Sequence, residues 1–370
     1  MTARLFTPLQ LGNVTVPNRI AIAPMCQYSA DDGCANDWHL QHLMSLAMSG
    51  AGLVMLEATA VERRGRITHG CLGLYSDANE AALGHVLAAA RRVALPGTAF
   101  GIQLAHAGRK ASSQRPWEGG SALAPDADPW PTIAPSAIPM SDAYPAPKAF
   151  TEEDAENIVQ GFEQAARRAV RLGFEVIELH MAHGYLMHSI LSPLSNTRTD
   201  RFGGSLEERL TLPLEIVRRV RSALPDSVSL GARITGQDWL DGGLTVEDAA
   251  TIARHLKANK VDWVCVSSGG LNLNARVVVG PGYQVPFARH VRENTGIITR
   301  AVGLIATPQQ AEEILAAGSA DQIAIGRAAL DNPRWGWHAA ETFGVKLTPP
   351  PQYARAIGAA WPGAKIARPN

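Results

Sequence analysis

Two neighbouring stretches, "SVSLGARITG" at residues 227–236 and "TVEDAATIARHLKAN" at residues 245–259, decide how this chain folds. The first is a short apolar run bounded by turn residues, the pattern of a strand buried on both faces. The second carries its apolar residues at helical spacing. It opens on Thr245, with Asp248 three residues on, a loose capping-box arrangement. A buried strand followed by a capped helix is one strand–helix unit of an α/β protein.

The unit recurs in both directions. Upstream, "RIAIAPM" (19–25) precedes "DWHLQHLMSLAMSGA", "GLVMLEATAV" (52–61) precedes "NEAALGHVLAAARRVA", and "GTAFGIQLAHAG" (97–108) comes before "TEEDAENIVQGFEQAARRAVRLG". "FEVIELH" (174–180) leads to "SLEERLTLPLEIVRRVRSAL". Downstream, "VDWVCVSSGG", "GIITRAVG" and "ADQIAIGRA" are each followed by a helical pattern. Thr151 with Asp154 repeats the cap, and Thr307-Pro308 sets a proline at a first helical position. About eight units in one direction predict a TIM (β/α)8 barrel. A doubly wound sheet is the structural alternative, but no glycine fingerprint follows the first strand.

The chain of 370 residues, 46% hydrophobic, is read as one barrel domain over 1–370. Two segments break the rhythm. Residues 109–150, rich in Pro, Ser and Ala, follow the third strand and would lie over the active face as a lid or binding element, or else be disordered. The tail, 346–370, has too many turn residues for a barrel helix except around Tyr353 to Ala360. With 34 basic and 34 acidic side chains and no Lys/Arg block, the charge argues against nucleic acid as a partner. No apolar run of about 18 residues predicts a membrane span, and the N-terminus does not read as a signal peptide. Cys26, Cys34, Cys71 and Cys265 show neither CxxC spacing nor the density of a disulfide scaffold. The expectation is a soluble cytoplasmic protein with free thiols.

In a barrel, chemistry gathers at the C-terminal ends of the strands. Gly303 and the Gly326-Arg327 pair end the last two, where backbone N–H groups approach a phosphate closely, although each glycine alone is also an ordinary turn residue. Arg233 ends the fifth strand. It needs the acceptors of a planar heterocycle, which Gln103 could also bond, or else a salt bridge to Glu57 or Glu178. Cys26 is either a small buried hydrophobe or a reactive group. Tyr28 would share its side if the chain stays extended there.

The stretch "HMAHGYLMHS" (180–189) follows the fourth strand. As metal ligands His180 and His183 lack further donors, and no HExxH is present, so no metal is expected. Two imidazoles in this place can instead donate hydrogen bonds to one substrate oxygen. Tyr185 carries a phenolic proton suited to a nascent carbanion. His188, further along, is assigned to packing.

These residues bring a family into view. "NRIAIAPMCQYSADDG", "GIQLAHAGRKAS", "HMAHGYLMHSILSPLSNTRTDRFGGSLEERL" and "AIGRAALDNP" occur in order, and the chain closely resembles the old yellow enzyme family over its full length. The likeness is to the bacterial branch of xenobiotic reductases and thermophilic-like ene-reductases. The resemblance implies a barrel holding FMN non-covalently and reduced by NADPH or NADH. It implies flavin contacts from Pro24, Met25, Cys26, Ala58, Gln103 and Arg233, with Cys26 tuning the flavin, and a phosphate site from Gly303, Gly326 and Arg327. His180 and His183, assisted by Tyr28, would clamp the substrate oxygen, and Tyr185 would protonate Cα after hydride reaches Cβ of an α,β-unsaturated carbonyl compound.

Nitro compounds or nitrate esters are alternative acceptors within the family. A Cys26/His180 cysteine hydrolase and a non-catalytic binding barrel are the alternatives outside it. Met181 is bulkier than the small residue usual between the paired histidines. In "PPQYARAIG", Arg355 matches an arginine that this branch sends into the neighbouring active site, which implies a homodimer or homotetramer. Trp361 follows on an extension of the tail.

Overall fold

A computed structural model describes residues 3–367. Eight parallel strands close into a barrel: β1 (Ile20–Ile22), β2 (Leu53–Ala60), β3 (Ala99–Ala105), β4 (Val176–Met181), β5 (Ser229–Thr235), β6 (Trp263–Ser267), β7 (Ile298–Ala301) and β8 (Gln322–Ile325). Each strand pairs with its successor, and β8 pairs with β1 in the register Ile323 to Ile20. The expected TIM (β/α)8 fold is the one formed.

The outer ring is α1 (Asp37–Ala47), α2 (Asp77–Val93), α3 (Glu152–Arg171), α4 (Thr211–Ala223), α5 (Val246–Ala258), α6 (Val285–Thr295), α7 (Pro308–Ala316) and α8 (Trp335–Thr342). The capping boxes of α3 and α5 form as their sequences predict: Thr151 Oγ1 accepts the Asp154 N–H while Asp154 accepts the Thr151 N–H, and Thr245 and Asp248 repeat this. Each such cap satisfies N–H groups that a helix start otherwise leaves unpaired.

Alternation along the strands sorts their side chains. Ile177, Leu179 and Met181 face outward into the main apolar cluster beneath the helices, whereas Val176, Glu178 and His180 point into the barrel. Met181 therefore packs behind the site, not in it. A two-stranded antiparallel hairpin, Leu9–Leu11 with Val14–Val16, plugs the N-terminal mouth, its Leu9, Leu11 and Val16 clustering with Leu53, Val176 and Trp263.

The tail departs from expectation. Tyr353 to Ala360 forms turns after a single 3-10 turn at Pro351–Tyr353, and the short helix is Ala364–Ala367 instead. The cause is tertiary. Tyr353 is drawn against Trp337 and Arg334, and the Gly358 N–H donates to Glu341 Oε1 at 2.6 Å, contacts a continuous helix would break.

Candidate active site

A cleft of ≈ 950 Å³ opens at the C-terminal ends of the strands. It brings together Pro24, Met25, His183, Arg233, Gly303, Gly326 and Arg327, residues spread over five strand ends. Gly303 sits at φ 113° in the left-handed region. A Cβ there would lie 2.5 Å from the Gln284 amide nitrogen, so only glycine lets the backbone reach this wall of the cleft. Gly326 and Arg327 follow β8, the strand paired with β7, and line the same cleft.

Arg233 forms neither of the salt bridges open to it. Glu178 is taken by Arg300, at 3.3 Å, and by the Gln103 amide nitrogen, at 2.5 Å. Glu57 accepts the Gln27 N–H at 3.1 Å. Among the described residues Arg233 Nη2 donates only to Ser267 Oγ, at 3.3 Å, and its buried Nε has no partner. A buried donor left unpaired costs about 1–3 kcal/mol unless a ligand meets it. Gln103, having given its Nε2 to Glu178, leaves Oε1 as its free end. The donor set thus fits FMN: Arg233 and Gln103 offer a donor and an acceptor to the ring, and the glycine-bounded wall with Arg327 suits the phosphate.

His180 ends β4. The Ala182 N–H donates to its Nδ1 at 3.2 Å, so its own proton is on Nε2. That nitrogen lies 3.3 Å from His183 Nδ1, and His183 Nε2 lies 2.7 Å from Ser267 Oγ. Burial first, and the Arg233 charge second, push both imidazoles well below their ordinary value. Both are neutral at pH 7, donors of hydrogen bonds and not cations.

His183 adopts φ 62° and Gly184 φ 74°, a left-handed pair that turns the chain back on itself. A buried bracket holds this turn. The Gly184 N–H donates to His188 Nδ1 at 2.7 Å, and His188 Nε2 donates to Asp238 Oδ1 at 2.7 Å. His188 is scaffold, as its position implied, and it secures the turn that carries His183. Tyr185 packs its ring edge-on to His180, centroids 4.8 Å apart, and burial raises its phenol well above the ordinary value, so it keeps its proton.

Cys26, Tyr28 and Ala58 form a second cluster beside the cleft. Tyr28 adopts φ 51°, so the chain is not extended there, yet its hydroxyl still meets the Cys26 thiol. A non-glycine residue held left-handed is costly and marks a constrained position. Burial, then Glu57, pushes the Cys26 thiol up. An activated nucleophile needs the opposite shift. Ala58 and Tyr185 line one small cavity with Cys71.

Residues 109–150 run across this face and are tied to it. Lys110 Nζ donates to the carbonyls of His183 (2.8 Å) and Gly270 (3.1 Å) and lies 5.1 Å from the Tyr185 ring centre; burial, helped by Arg109, pulls it down to about 8. Arg115 Nε donates to the Tyr28 carbonyl at 2.9 Å, and Trp117 meets the Tyr28 ring edge-on at 5.9 Å. Arg355 is exposed on the tail and lines no part of this cleft. Ser267, Gln284, Lys110 and Arg300 escaped sequence reasoning, because serine, glutamine and isolated cations carry no pattern of their own. The alternate spacing of Cys265 with Ser267, and of Arg300 with Val302, was the available signal for inward placement.

Comparison with known proteins supplies the family. The profile of the NADH:flavin oxidoreductase / NADH oxidase family matches residues 4–343. The chain is 43% identical over 357 residues to an NADPH dehydrogenase of Geobacillus thermodenitrificans, covering 96% of this chain and 99% of that protein. It is 42% identical over 356 residues to an NADPH dehydrogenase of Listeria innocua, with the same coverage of 96% and 99%. The structure of morphinone reductase superposes with a TM-score of 0.76 at 27% identity, covering 95% of this chain and 93% of that one. The chain belongs to the NADH:flavin oxidoreductase / NADH oxidase family, as an NAD(P)H-dependent FMN oxidoreductase of the old yellow enzyme type.

Proposed function

We propose that this enzyme reduces the activated C=C bond of α,β-unsaturated carbonyl compounds. The observation that carries the reading is the pair of neutral, buried imidazoles whose Nε2 and Nδ1 face each other at 3.3 Å beside the cleft. FMN, once bound, would supply the redox chemistry, hydride exchange between NAD(P)H and the substrate's Cβ. The protein orients and polarises the substrate. With the His183 proton on Nδ1, both histidines would direct an N–H at one carbonyl oxygen, and such bonds strengthen as charge builds there. Tyr28 assists from the first strand. Tyr185, protonated and in contact with His180, would give its proton at Cα. Pro24, Met25, Cys26, Ala58, Gln103 and Arg233 would hold the flavin ring, and Gly303, Gly326 and Arg327 would hold its phosphate.

Stopped-flow kinetics test the clamp. His180→Ala or His183→Ala is expected to slow enone reduction by about 10²-fold, the worth of one oxyanion donor, while leaving flavin reduction by nicotinamide near wild type. Equal loss in both half-reactions counts against it. A panel of enones, nitro compounds and nitrate esters, each with NADPH and NADH, sets the substrate class. Faster turnover of nitro compounds or nitrate esters than of every enone would replace the proposed one.

A further inference from the structure

One layer below the cleft, the barrel is not filled with the branched apolar side chains usual in this fold. Instead Gln103 on β3, Glu178 on β4, Arg300 on β7 and Gln322 on β8 meet at its centre, each at most 2% exposed. Glu178 accepts from Gln103 Nε2 at 2.5 Å and from Arg300 Nη1 at 3.3 Å. Arg300 Nε donates to Gln322 Oε1 at 2.7 Å, and its guanidinium lies 3.8 Å from the Trp263 ring centre. Arg233 stands on the layer above, one strand over from Glu178's own β4.

Stability does not explain this arrangement. A buried ion pair is often no better than apolar residues of the same volume, and only full hydrogen bonding offsets its desolvation. Here Arg300 Nη2 and Gln322 Nε2 are buried without partners. The set does have two consequences for the cleft above. Glu178 fixes which end of the Gln103 amide is free, and it sets one carboxylate against the Arg300 guanidinium, a layer below Arg233, so the three side chains sum to a single positive charge.

We propose that Glu178 and Arg300 are positioning residues for the flavin: Glu178 orients the Gln103 amide so that its oxygen faces the ring, and the Glu178–Arg300 pair sets the charge beneath it and hence the reduction potential. The inference rests on Gln103 and Arg233 being flavin contacts, as proposed above. Reduction adds negative charge to the flavin, so the local charge sum decides how far the reduced form is favoured. Glu178→Gln keeps an acceptor for Gln103 while raising the sum from one positive charge to two. Adding Arg300→Met restores it to one.

The test is spectroelectrochemical titration of the purified FMN-bound protein and of the two variants. Glu178→Gln is expected to favour reduced flavin by at least tenfold, about 30 mV for a two-electron couple, and the double variant Glu178→Gln/Arg300→Met to return towards wild type. A purely structural role would make the double variant at least as perturbed as the single one. An unchanged potential in Glu178→Gln with stoichiometric FMN overturns the inference, as does a double variant shifted as far as the single. Should Glu178→Gln not fold, Arg300→Met carries the test. With Arg233 and Glu178 left, the sum falls from one positive charge to zero, so its potential is expected to drop by about 30 mV or more, a tenfold loss of reduced flavin, and an unchanged potential with stoichiometric FMN overturns the proposal. The underlying flavin assignment fails separately, if Gln103→Ala and Arg233→Ala bind FMN with unchanged affinity and spectrum.

Discussion

Glu57 shows how one buried group makes a testable demand on the fold. Burial pushes its carboxyl up to about 8 from an ordinary value of 4.5, against a weaker downward pull from the Gln27 N–H. Its neighbour His39, 3.6 Å away, is pushed down to about 4 by burial and then by His42, so the two meet as neutral groups and not as an ion pair. Between 4.5 and 8 the unfolded chain has released the Glu57 proton and the folded chain has kept it. Stability therefore falls as pH rises through that window. Glu57→Gln is expected to raise the melting temperature relative to wild type far more at pH 9 than at pH 5, with up to about 5 kcal/mol at stake. Equal gains at both pH values would refute this origin. At Cys26 the raised thiol argues for tuning and not nucleophilic attack. Cys26→Ala should keep turnover with a shifted flavin potential, and complete loss of turnover with FMN still bound would restore the nucleophile reading. The two histidines and Tyr185 were legible from their place after a strand. Arg233's freedom from Glu57 and Glu178 was not, because it depends on Arg300 arriving from a strand about 67 residues further on to take the carboxylate.

Among the elements, α3 is the clearest case of local instruction. Its Thr151–Asp154 box is reinforced by Lys148 Nζ, 3.0 Å from Asp154, and by Arg64 at 3.3 Å. Thr151→Ala is expected to cost about 1 kcal/mol in denaturant titration, whereas Thr151→Ser should be close to neutral; equal losses would show that the hydroxyl is not the stabilising group. The turn after β4 is less local. His183 and Gly184 hold left-handed backbone in a turn secured by one hydrogen-bonded chain, from the Gly184 N–H through His188, on the short helix Leu186–Leu191, to Asp238 in the loop after β5. His188→Ala leaves the Gly184 N–H and Asp238 Oδ1 without their partner in a fully buried place. It is expected to destabilise by about 2–4 kcal/mol and to slow enone reduction more than flavin reduction; an unchanged half-reaction ratio would confine the bracket to stability. Strand periods, caps and the proline at the start of α7 were all readable in sequence. The path of residues 109–150 was not, since its anchors, Lys110 on the His183 and Gly270 carbonyls and Arg115 on the Tyr28 carbonyl, are side chains bonded to distant backbone.

At the scale of the whole molecule, the barrel places one face for chemistry and closes the other. The hairpin of Leu9–Leu11 and Val14–Val16 seals the far end, and the tail runs outside the cleft with Arg355 exposed. That exposure suits the proposal that Arg355 serves a neighbouring copy in a dimer or tetramer. Arg355→Ala should then raise KM for the substrate by about tenfold, one charge-assisted hydrogen bond, with FMN content unchanged; sedimentation and substrate affinity both identical to wild type would remove the cross-subunit role. By itself the sequence determined the strand–helix order, the caps and which residues fall at strand ends, because these follow from backbone period and near-neighbour hydrogen bonds. The tertiary structure alone decided which buried charges pair, which donors stay free, and which histidine nitrogens meet. Those outcomes depend on side chains from strands far apart in sequence competing for the same few acceptors inside a space from which water is excluded.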